Sequence, residues 1–184
     1  INSMDENDNH TALDPGGSGA LYVVATPIGN MADITFRAIQ TLKEVALIAA
    51  EDTRHTKRLL DHYAIRNRMV SLHEHNETRR TGMLVKRLKG GESIAVVSDA
   101  GTPTLSDPGY RLIREAIAAE IRIVPIPGAS AALTSLCASG LPTDAYVFIG
   151  FVPRKEGKRR KTLKSLIAEK KTLVFYESPK RIQA

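Results

Sequence analysis

Short apolar runs alternate with amphipathic stretches along the chain from residue 20 onward. The runs have the length of strands and are apolar at nearly every position, which is typical of strands covered on both faces. Strands are predicted at 21–26, 45–50, 69–72, 93–98 and 121–126, and helices near 34–43, 54–63, 76–89, 107–119 and 129–139. Because strands and helices alternate, the pattern predicts an α/β fold with right-handed crossovers and a parallel sheet.

The same pattern divides the chain into three parts. Residues 1–19 are polar and acidic and end in PGGSG, which predicts a flexible tail. Residues 20–141 form a predicted N-terminal α/β domain, and the following LPTD stretch interrupts the pattern as a domain boundary does. Residues 142–184 carry two more predicted strands, at 145–151 and 172–176, and are expected to begin a second α/β domain. This part is too short for a full core, so we expect the natural protein to be longer.

The residues that follow the five N-terminal strands are small, polar or charged. They read PIGN, EDTRHT, HEHN, DAGTP and PGASA, in chain order. In parallel sheets, ligands bind outside the carboxyl ends of the strands. The sequence therefore predicts a ligand site at this edge of the sheet.

The loop after the fourth strand, SDAGTPTLSDPG at 98–109, stands out among these segments. Its glycines allow positive φ and its prolines restrict φ, so we expect a preorganised loop that offers main-chain groups to a ligand. Asp99 stands at the very end of the strand, where a charge requires a partner or a ligand. Asp107 precedes Pro-Gly and the next helix, and a capping role is predicted for it.

Positive charge is concentrated in one segment near the end of the chain. The formal net charge is +6, and residues 154–171 hold nine Lys or Arg against two Glu, a local charge of +7. A basic patch of this kind favours a polyanionic partner, with nucleic acid as the leading class. A solvated surface face has the same composition, so the charge alone leaves both interpretations open.

Other common chemistries have little support. The segment from Gly150 to Arg159 has six residues between its glycines and lacks the Ser or Thr of a phosphate-binding loop. His73 and His75 have no marked third ligand, so no metal is predicted. Cys137 is the single cysteine, is expected to be a small core thiol, and fits a reducing, cytoplasmic compartment. No run of 18 apolar residues occurs, and no membrane partner is expected.

Seven stretches in register resemble the tetrapyrrole methylase superfamily of S-adenosylmethionine-dependent methyltransferases, and within it the branch that methylates ribosomal RNA. They are LYVVATPIGNMADIT, AAEDTRHTKRLL, LHEHNE, VVSDAGTPTLSDPG, IVPIPGASAALTSL, FIGFVPRK and FYESPKRI, spanning residues 21–182. The resemblance implies two α/β domains, with S-adenosylmethionine in the cleft between them, and a homodimer. It also implies methylation of the 2′-hydroxyl of a cytidine in 16S rRNA of the small ribosomal subunit.

The resemblance also implies a set of cofactor-binding residues. From the first domain these are Pro27, Asp99, Ala100, Gly101, Thr102 and Pro103, and from the rest of the chain Ser130, Ala131, Tyr176 and Glu177. The plain structural alternative for Ser130 is a helix cap.

Catalytic and RNA-binding residues are hypotheses on this framework. The candidates for a general base that takes the hydroxyl proton are Glu51, Asp52 and Glu177, although Asp52 also fits a helix N-cap. A basic loop at 154–161 is expected to hold the RNA backbone through Arg154, Lys155, Lys158, Arg159, Arg160 and Lys161, with Arg54 as a further contact. Two other functions stay open: a methyltransferase for a tetrapyrrole-type small molecule, and a non-enzymatic RNA-binding module.

Overall fold

The computed structural model describes residues 19–182, which form two compact units divided between Ala129 and Ser130. The predicted tail lies outside the described residues except for Gly19, which is buried. The sequence prediction puts the domain boundary at residue 141, so the two divisions differ in where they place the helix at 131–138. None of the described helices is long and apolar enough to cross a membrane.

The first unit is built on a five-stranded parallel sheet. The strands are β1 (Ala20–Val24), β2 (Leu47–Ala50), β3 (Met69–Ser71), β4 (Ile94–Val97) and β5 (Arg122–Ile126), in the order β3-β2-β4-β1-β5. Each neighbouring pair is parallel, with Leu21 opposite Ile94 and Ile123 in the register of the central strands. The predicted α/β fold with a parallel sheet is confirmed, and all five predicted strands agree to within two residues at each end.

Helices cover both faces of this sheet. A short 3₁₀ helix (Met31–Asp33) precedes α1 (Phe36–Glu44), and α2 (Thr53–His62), α3 (Glu77–Lys89) and α4 (Tyr110–Ala118) follow. One apolar cluster joins alternate strand residues to Leu42 of α1 and Leu60 of α2, and the other joins the remaining strand residues to Leu84 of α3 and Leu112 of α4. Because both faces are buried, the strands are apolar at successive positions rather than alternating.

The prediction that Asp107 caps α4 is wrong. The N-cap is Gly109, at φ 113°, and its position carries no side-chain capping bond. Instead, Oε1 of Glu77 at the start of α3 accepts hydrogen bonds from the N–H groups of Gly109 and Arg111, each at 3.0 Å. The carboxylate of Glu77 thus accepts hydrogen bonds from main-chain N–H groups at the start of α4, and its negative charge complements the helix dipole. This leaves the Asp107 side chain without a capping role.

The second unit contains α5 (Ala131–Ala138), β6 (Tyr146–Phe151), α6 (Glu156–Ser165) and β7 (Thr172–Tyr176). Strands β6 and β7 pair in parallel, with a bulge between Phe148 and Gly150. These two strands agree with the predictions at 145–151 and 172–176.

The basic segment is a helix where the sequence analysis expected a loop. Helix α6 buries no residue, so it has no apolar stripe that a periodicity search detects. Lys, Arg and Glu have high helix propensity, and an i,i+4 ion pair between Glu156 and Arg160 at 3.1 Å adds support. The N–H of Arg159 donates to the carbonyl of Lys155 at 2.9 Å and closes the first turn.

Candidate active site at the carboxyl edge of the sheet

A cavity of about 360 Å³ lies at the carboxyl ends of β1, β2 and β4 in the first unit. Its volume is at the lower end of the range for small-molecule sites. The segment after β1, one face of α2 and the residues after β4 line it: Thr26, Pro27, Ile28, Gly29, Met31, His55, Thr56, Leu59, Ser98, Asp99 and Ala100. This is the edge at which the sequence predicts a ligand site.

A two-bond bridge fixes the loop after β4 to the end of β1. The N–H of Thr26 donates to the carbonyl of Gly101 at 2.9 Å, and the N–H of Gly101 donates to the carbonyl of Thr26 at 3.1 Å. Gly101 has φ +85°, and a Cβ there would lie 3.3 Å from Cγ2 of Ile28, so both backbone and space favour glycine. Its N–H and C=O are both used in the bridge, so Gly101 fixes this loop to the end of β1.

The same loop holds non-glycine residues in the left-handed region. Thr104 has φ 72° and Ser106 has φ 71°. Positive φ is a real strain for a β-branched residue such as Thr104, and such strain persists only where surrounding contacts impose it. The loop is therefore held in a single demanding conformation beside the cavity.

Carboxylates connect the ends of β2 and β4 behind this loop. Oδ1 of Asp99 accepts from the N–H of Asp52 at 3.1 Å, and Oε2 of Glu51 accepts from the N–H of Asp99 at 3.3 Å. Each of the two strand ends thus supplies a side-chain acceptor for the main chain of the other. Asp99 lines the cavity, whereas Glu51 is not among the lining residues and contacts the main chain of Asp99.

Burial and like charges shift the protonation of this cluster. Burial raises the pKa of Glu51, and the nearby carboxylates of Asp107, Asp99 and Asp52 add to the rise. Burial likewise raises the pKa of Asp107, with a smaller contribution from the charge of Asp99. By contrast, hydrogen bonds from Arg54 lower the pKa of the half-buried Asp52 to about 2. This edge of the sheet therefore carries two carboxyl groups with raised pKa values, Glu51 and Asp107, and one with a lowered pKa, Asp52.

We expect Asp107→Asn to stabilise the folded protein near neutral pH. A carboxyl whose pKa is raised by folding stabilises the fold below its unfolded pKa, about 4, and this stability is lost as pH rises through the folded pKa. Asparagine stays neutral at all pH values, so the variant should melt a few degrees higher at neutral pH. Thermal melts recorded by circular dichroism over a pH series measure the difference, which should vanish near pH 4.

Asp33→Asn is a matched control, because Asp33 is an exposed acid of the same unit. Its melting temperature should follow that of the wild type across the pH series. An Asp107→Asn variant that melts lower than the wild type at neutral pH would show that the carboxylate contributes a stabilising contact that outweighs its burial.

The structure brings only part of the predicted first-domain set to the cavity wall. Pro27, Asp99 and Ala100 line it, while Gly101, Thr102 and Pro103 follow in the same loop outside the lining. The hydroxyl of Thr102 donates to the carbonyl of Ala129 at 3.3 Å, and Pro103 is buried. The cofactor contacts predicted for these three residues stay predictions.

Asp52 and Arg54 form the start of α2. Asp52 is the N-cap, and its Oδ1 accepts from the N–H of Arg54 at 2.8 Å. The exposed Arg54 guanidinium returns to the same carboxylate at 3.0 Å. Both side chains thus have a structural role here, and the catalytic and RNA-binding roles predicted for them stay predictions.

The remaining predicted residues belong to the second unit. Ser130 is the N-cap of α5, of which Ala131 is the first residue, but the Ser130 side chain makes no capping bond. The Tyr176 ring packs against Phe148 and Phe151, with centroids 5.0 and 5.6 Å away. Glu177 pairs with Arg181 at 3.1 Å. The basic residues Arg154, Lys155, Lys158, Arg160 and Lys161 are exposed, and Arg159 is half-buried.

Five further lining residues lie in the segments that the sequence analysis placed at the ligand edge without assigning them a role: Ile28, Gly29, His55, Thr56 and Ser98. The sequence analysis did not single out Thr26, Met31 and Leu59. Leu59 lies on the buried side of α2, so from the sequence it resembles an ordinary core position.

No arrangement of three or more His, Cys, Asp or Glu suited to a metal ion occurs within residues 19–182. Nε2 of His73 lies 2.9 Å from Nδ2 of Asn76. Cys137 is exposed, which makes the prediction of a core thiol wrong, since it lies on a side of the short helix α5 that is not buried.

Residues 20–184 match the family model described as Tetrapyrrole (Corrin/Porphyrin) Methylases. Two curated relatives are named ribosomal RNA small subunit methyltransferase I. The one from Halalkalibacterium halodurans is 56% identical over 165 residues, covering 90% of this chain and 57% of the relative. The one from Mesorhizobium japonicum is 56% identical over 163 residues, covering 89% and 55%. The chain thus spans less than three fifths of the length of these relatives.

Solved structures share the fold at low sequence identity. A crystal structure of diphthine synthase has a TM-score of 0.60 at 16% identity, covering 88% of this chain and 66% of that one. The uroporphyrin-III C-methyltransferase of Thermus thermophilus, complexed with S-adenyl homocysteine, has a TM-score of 0.54 at 19% identity, covering 73% and 60%. These likenesses show the fold alone.

Proposed function

Since the chain belongs to the tetrapyrrole (corrin/porphyrin) methylase family, we propose that its protein is an S-adenosylmethionine-dependent methyltransferase acting on ribosomal RNA. The proposed substrate is the 2′-hydroxyl of a cytidine in 16S rRNA of the small ribosomal subunit. The observation that carries this proposal is the 56% identity to relatives named ribosomal RNA small subunit methyltransferase I. We also propose that the protein works in the cytoplasm as a homodimer.

The residues around the cavity fit this cofactor. When bound, S-adenosylmethionine supplies a sulfonium methyl group, to which the 2′-oxygen bonds as the carbon–sulfur bond breaks. Asp99 presents a carboxylate to the cavity, and the charges of Asp99 and Asp107 add to the raised pKa of Glu51. The Asp99 carboxylate would attract the cationic sulfonium group of the cofactor. Pro27, Asp99 and Ala100 are therefore the proposed cofactor contacts of the first unit.

Most of the rate acceleration is expected from positioning. The bridge between Thr26 and Gly101 and the strained loop behind it keep the cavity wall rigid. A rigid wall holds the hydroxyl and the methyl group in line and saves the entropy of bringing them together. The hydroxyl proton must also leave, and a base that takes it contributes about 10²–10⁴-fold.

Glu51 is the strongest of the three proposed bases. Its pKa is raised, mainly by burial, so its carboxylate is a better proton acceptor than an ordinary one. Asp52 is a weak base, because hydrogen bonds from Arg54 hold its pKa at about 2. The carboxylate of Glu177 forms an ion pair with Arg181, which makes it a weaker proton acceptor.

Helix α6 and the two residues before it form the proposed RNA-binding surface. Lys158, Arg160, Lys161 and Lys164 are exposed on the helix, and Arg154 and Lys155 precede it. A helix that buries no side chain and carries this charge suits the phosphates of an RNA backbone. The helix thus offers cations on a regular scaffold rather than on the loop that the sequence analysis expected.

A double charge reversal on this helix, Lys158→Glu with Lys161→Glu, should weaken binding to small-subunit rRNA. Because each lost phosphate contact removes about 0.7–0.9 from the slope of log affinity against log salt, the slope should fall by one to two units. Filter-binding titrations over a salt series measure it. The double variant Lys86→Glu with Lys89→Glu on α3 changes the net charge equally at exposed positions and should keep the wild-type slope. Equal slopes for both double variants would reject the proposed surface.

Methyl transfer by the full-length protein tests the proposed function. Labelled S-adenosylmethionine is offered with small ribosomal subunits, naked rRNA and a tetrapyrrole in parallel. Label recovered as a 2′-O-methylated cytidine supports the proposal. Label in the tetrapyrrole alone points to a small-molecule methyltransferase instead, and RNA binding without cofactor binding points to a non-enzymatic module.

A further inference from the structure

One wall of the cavity is a segment with little apolar packing of its own. Residues 27–35, here called the β1–α1 segment, join β1 to α1 and supply Pro27, Ile28, Gly29 and Met31 to the cavity lining. None of these nine residues is buried, and the 3₁₀ helix within the segment buries no residue either. The position of this wall therefore depends largely on hydrogen bonds.

The two ends of the β1–α1 segment are anchored. Immediately before it, Thr26 forms the two-bond bridge to Gly101. At the other end, Thr35 is the N-cap of α1, and its Oγ1 accepts from the N–H of Ala38 at 3.1 Å. Between the ends, Oδ1 of Asn30 accepts from the N–H of Ala32 at 3.1 Å, but this bond lies within the segment. The middle of the wall thus requires an anchor from elsewhere in the unit.

Tyr63, the residue after α2, supplies that anchor. Its hydroxyl donates to the carbonyl of Met31 at 2.5 Å. Among the side chains of residues 19–182 that lie outside the segment, Tyr63 is the one that hydrogen-bonds to residues 27–34. The same carbonyl also accepts from the N–H of Ile34 at 3.3 Å, so it uses both of its lone pairs.

The Tyr63 hydroxyl is carried by a well-held side chain. Tyr63 is the C-cap of α2, and its N–H donates to the carbonyl of Leu59 at 3.3 Å. Its ring packs against the apolar cluster that joins the sheet to α1 and α2, and lies edge-to-face on His62 with centroids 4.7 Å apart. Helix α2 itself lines the cavity through His55, Thr56 and Leu59. The hydroxyl therefore joins two walls of the cavity, one from α2 and one from the β1–α1 segment.

On the basis of the proposed function, we propose that Tyr63 is a positioning residue for cofactor binding. Its hydroxyl holds Met31 and the β1–α1 segment beside α2, so that the cavity keeps the shape that receives S-adenosylmethionine. Tyr63 does not line the cavity and acts through Met31, and neither the family model nor the names of the relatives assign it a role. When the competent conformation is only partly populated, ligand affinity falls by that fraction. Loss of this hydrogen bond should therefore weaken cofactor binding and leave the reacting groups in place.

The test uses Tyr63→Phe in the full-length protein, because phenylalanine keeps the ring in the core and removes only the hydroxyl. Affinity for S-adenosylmethionine, measured by titration calorimetry, should fall about threefold to tenfold, as expected for one hydrogen bond. The melting temperature should stay within a few degrees of the wild type. In methyl transfer to small ribosomal subunits, KM for the cofactor should rise by the same factor, while kcat at saturating cofactor stays near the wild-type value.

Hydrogen exchange in the free protein tests the physical cause independently of activity. The N–H groups of Asp33 and Ile34 donate to carbonyls within the segment, at 3.1 and 3.3 Å. In Tyr63→Phe without cofactor, both amides should exchange faster than in the wild type, because the segment leaves its position more often. Saturating S-adenosylmethionine should restore their protection. Amides of the buried strand β4 should exchange as in the wild type.

Tyr110→Phe is the matched control. Tyr110 on α4 is exposed, and its hydroxyl makes no hydrogen bond to any described residue, so this variant should keep wild-type affinity and exchange. Wild-type cofactor affinity in Tyr63→Phe, an equal loss of affinity in Tyr110→Phe, or faster exchange throughout the first unit would overturn the positioning role and leave the proposed function intact. A wild-type protein that binds no S-adenosylmethionine would instead remove the proposed function, and this role with it.

Discussion

Asp99→Ala is expected to reduce methyl transfer by about a hundredfold or more, with most of the loss in cofactor binding. Asp99 is the one acidic side chain that lines the cavity, and its carboxylate also accepts the N–H of Asp52 at 3.1 Å. The alanine variant removes a negative charge facing the cationic cofactor and an anchor between the ends of β2 and β4. Titration calorimetry with S-adenosylmethionine and labelled methyl transfer by the full-length protein measure the two effects.

Asp99→Asn separates the charge from the anchor. Asparagine retains an oxygen that accepts the N–H of Asp52, so the loop should keep its conformation while the charge is lost. Cofactor binding by this variant should also fall strongly, since the charge is the larger contribution. The exposed Asp61, which pairs with Lys57 on α2, is the control position, and Asp61→Asn should bind as the wild type does. Normal cofactor binding by Asp99→Ala would place the cofactor outside this cavity.

The sequence predicts the architecture well because a strand buried on both faces of the sheet is apolar at every position. Strands such as IAVV in β4 are apolar at every position, which happens when helices cover both sides of a parallel sheet. Once the strands are located, the shared direction of a parallel sheet places every following segment at one edge. The position of the cavity therefore follows from the pattern without any knowledge of its contacts.

The details of the site depend on long-range contacts, which the local sequence does not encode. Asp107 has the local sequence of a helix cap, yet Glu77, 32 residues earlier, caps that helix. Gly101 has the sequence of a ligand-binding loop, yet Thr26 uses both of its main-chain groups. In each case the main-chain partner lies far away in sequence, so the local motif gives no sign of it.

Four acidic residues at this edge of the sheet, Glu51, Asp52, Asp99 and Asp107, are linked by hydrogen bonds or by charge. Glu51 holds the main chain of Asp99, Asp99 holds the main chain of Asp52, and the charges of Asp99 and Asp107 both raise the pKa of Glu51. Removing the charge of Asp99 or Asp107 should therefore lower the pKa of Glu51. Substitutions that keep a hydrogen-bond acceptor are the cleanest way to examine them.

Glu51→Gln should lower the rate of methyl transfer by about 10²–10⁴-fold while leaving cofactor binding nearly unchanged. Glutamine keeps the oxygen that accepts the N–H of Asp99, so it removes the base and preserves the loop. A base acts only when deprotonated, so wild-type kcat/KM should rise with pH through the pKa of Glu51, which burial raises above its ordinary value. In Glu51→Gln this rise should disappear. A pH series of single-turnover rates with small ribosomal subunits measures both effects.

Glu51→Ala distinguishes a base from a residue that only positions Asp99. If Glu51 serves solely as an anchor, the glutamine variant should retain the wild-type rate and pH profile, while the alanine variant loses cofactor affinity. If Glu51 takes the proton, both variants should be slow, and both should lack the rise with pH. Because Glu51 does not line the cavity, proton transfer requires substrate or a water molecule to connect it to the 2′-hydroxyl. Unchanged transfer by Glu51→Ala would reject both roles and leave Asp99 as the only functional carboxylate of this edge.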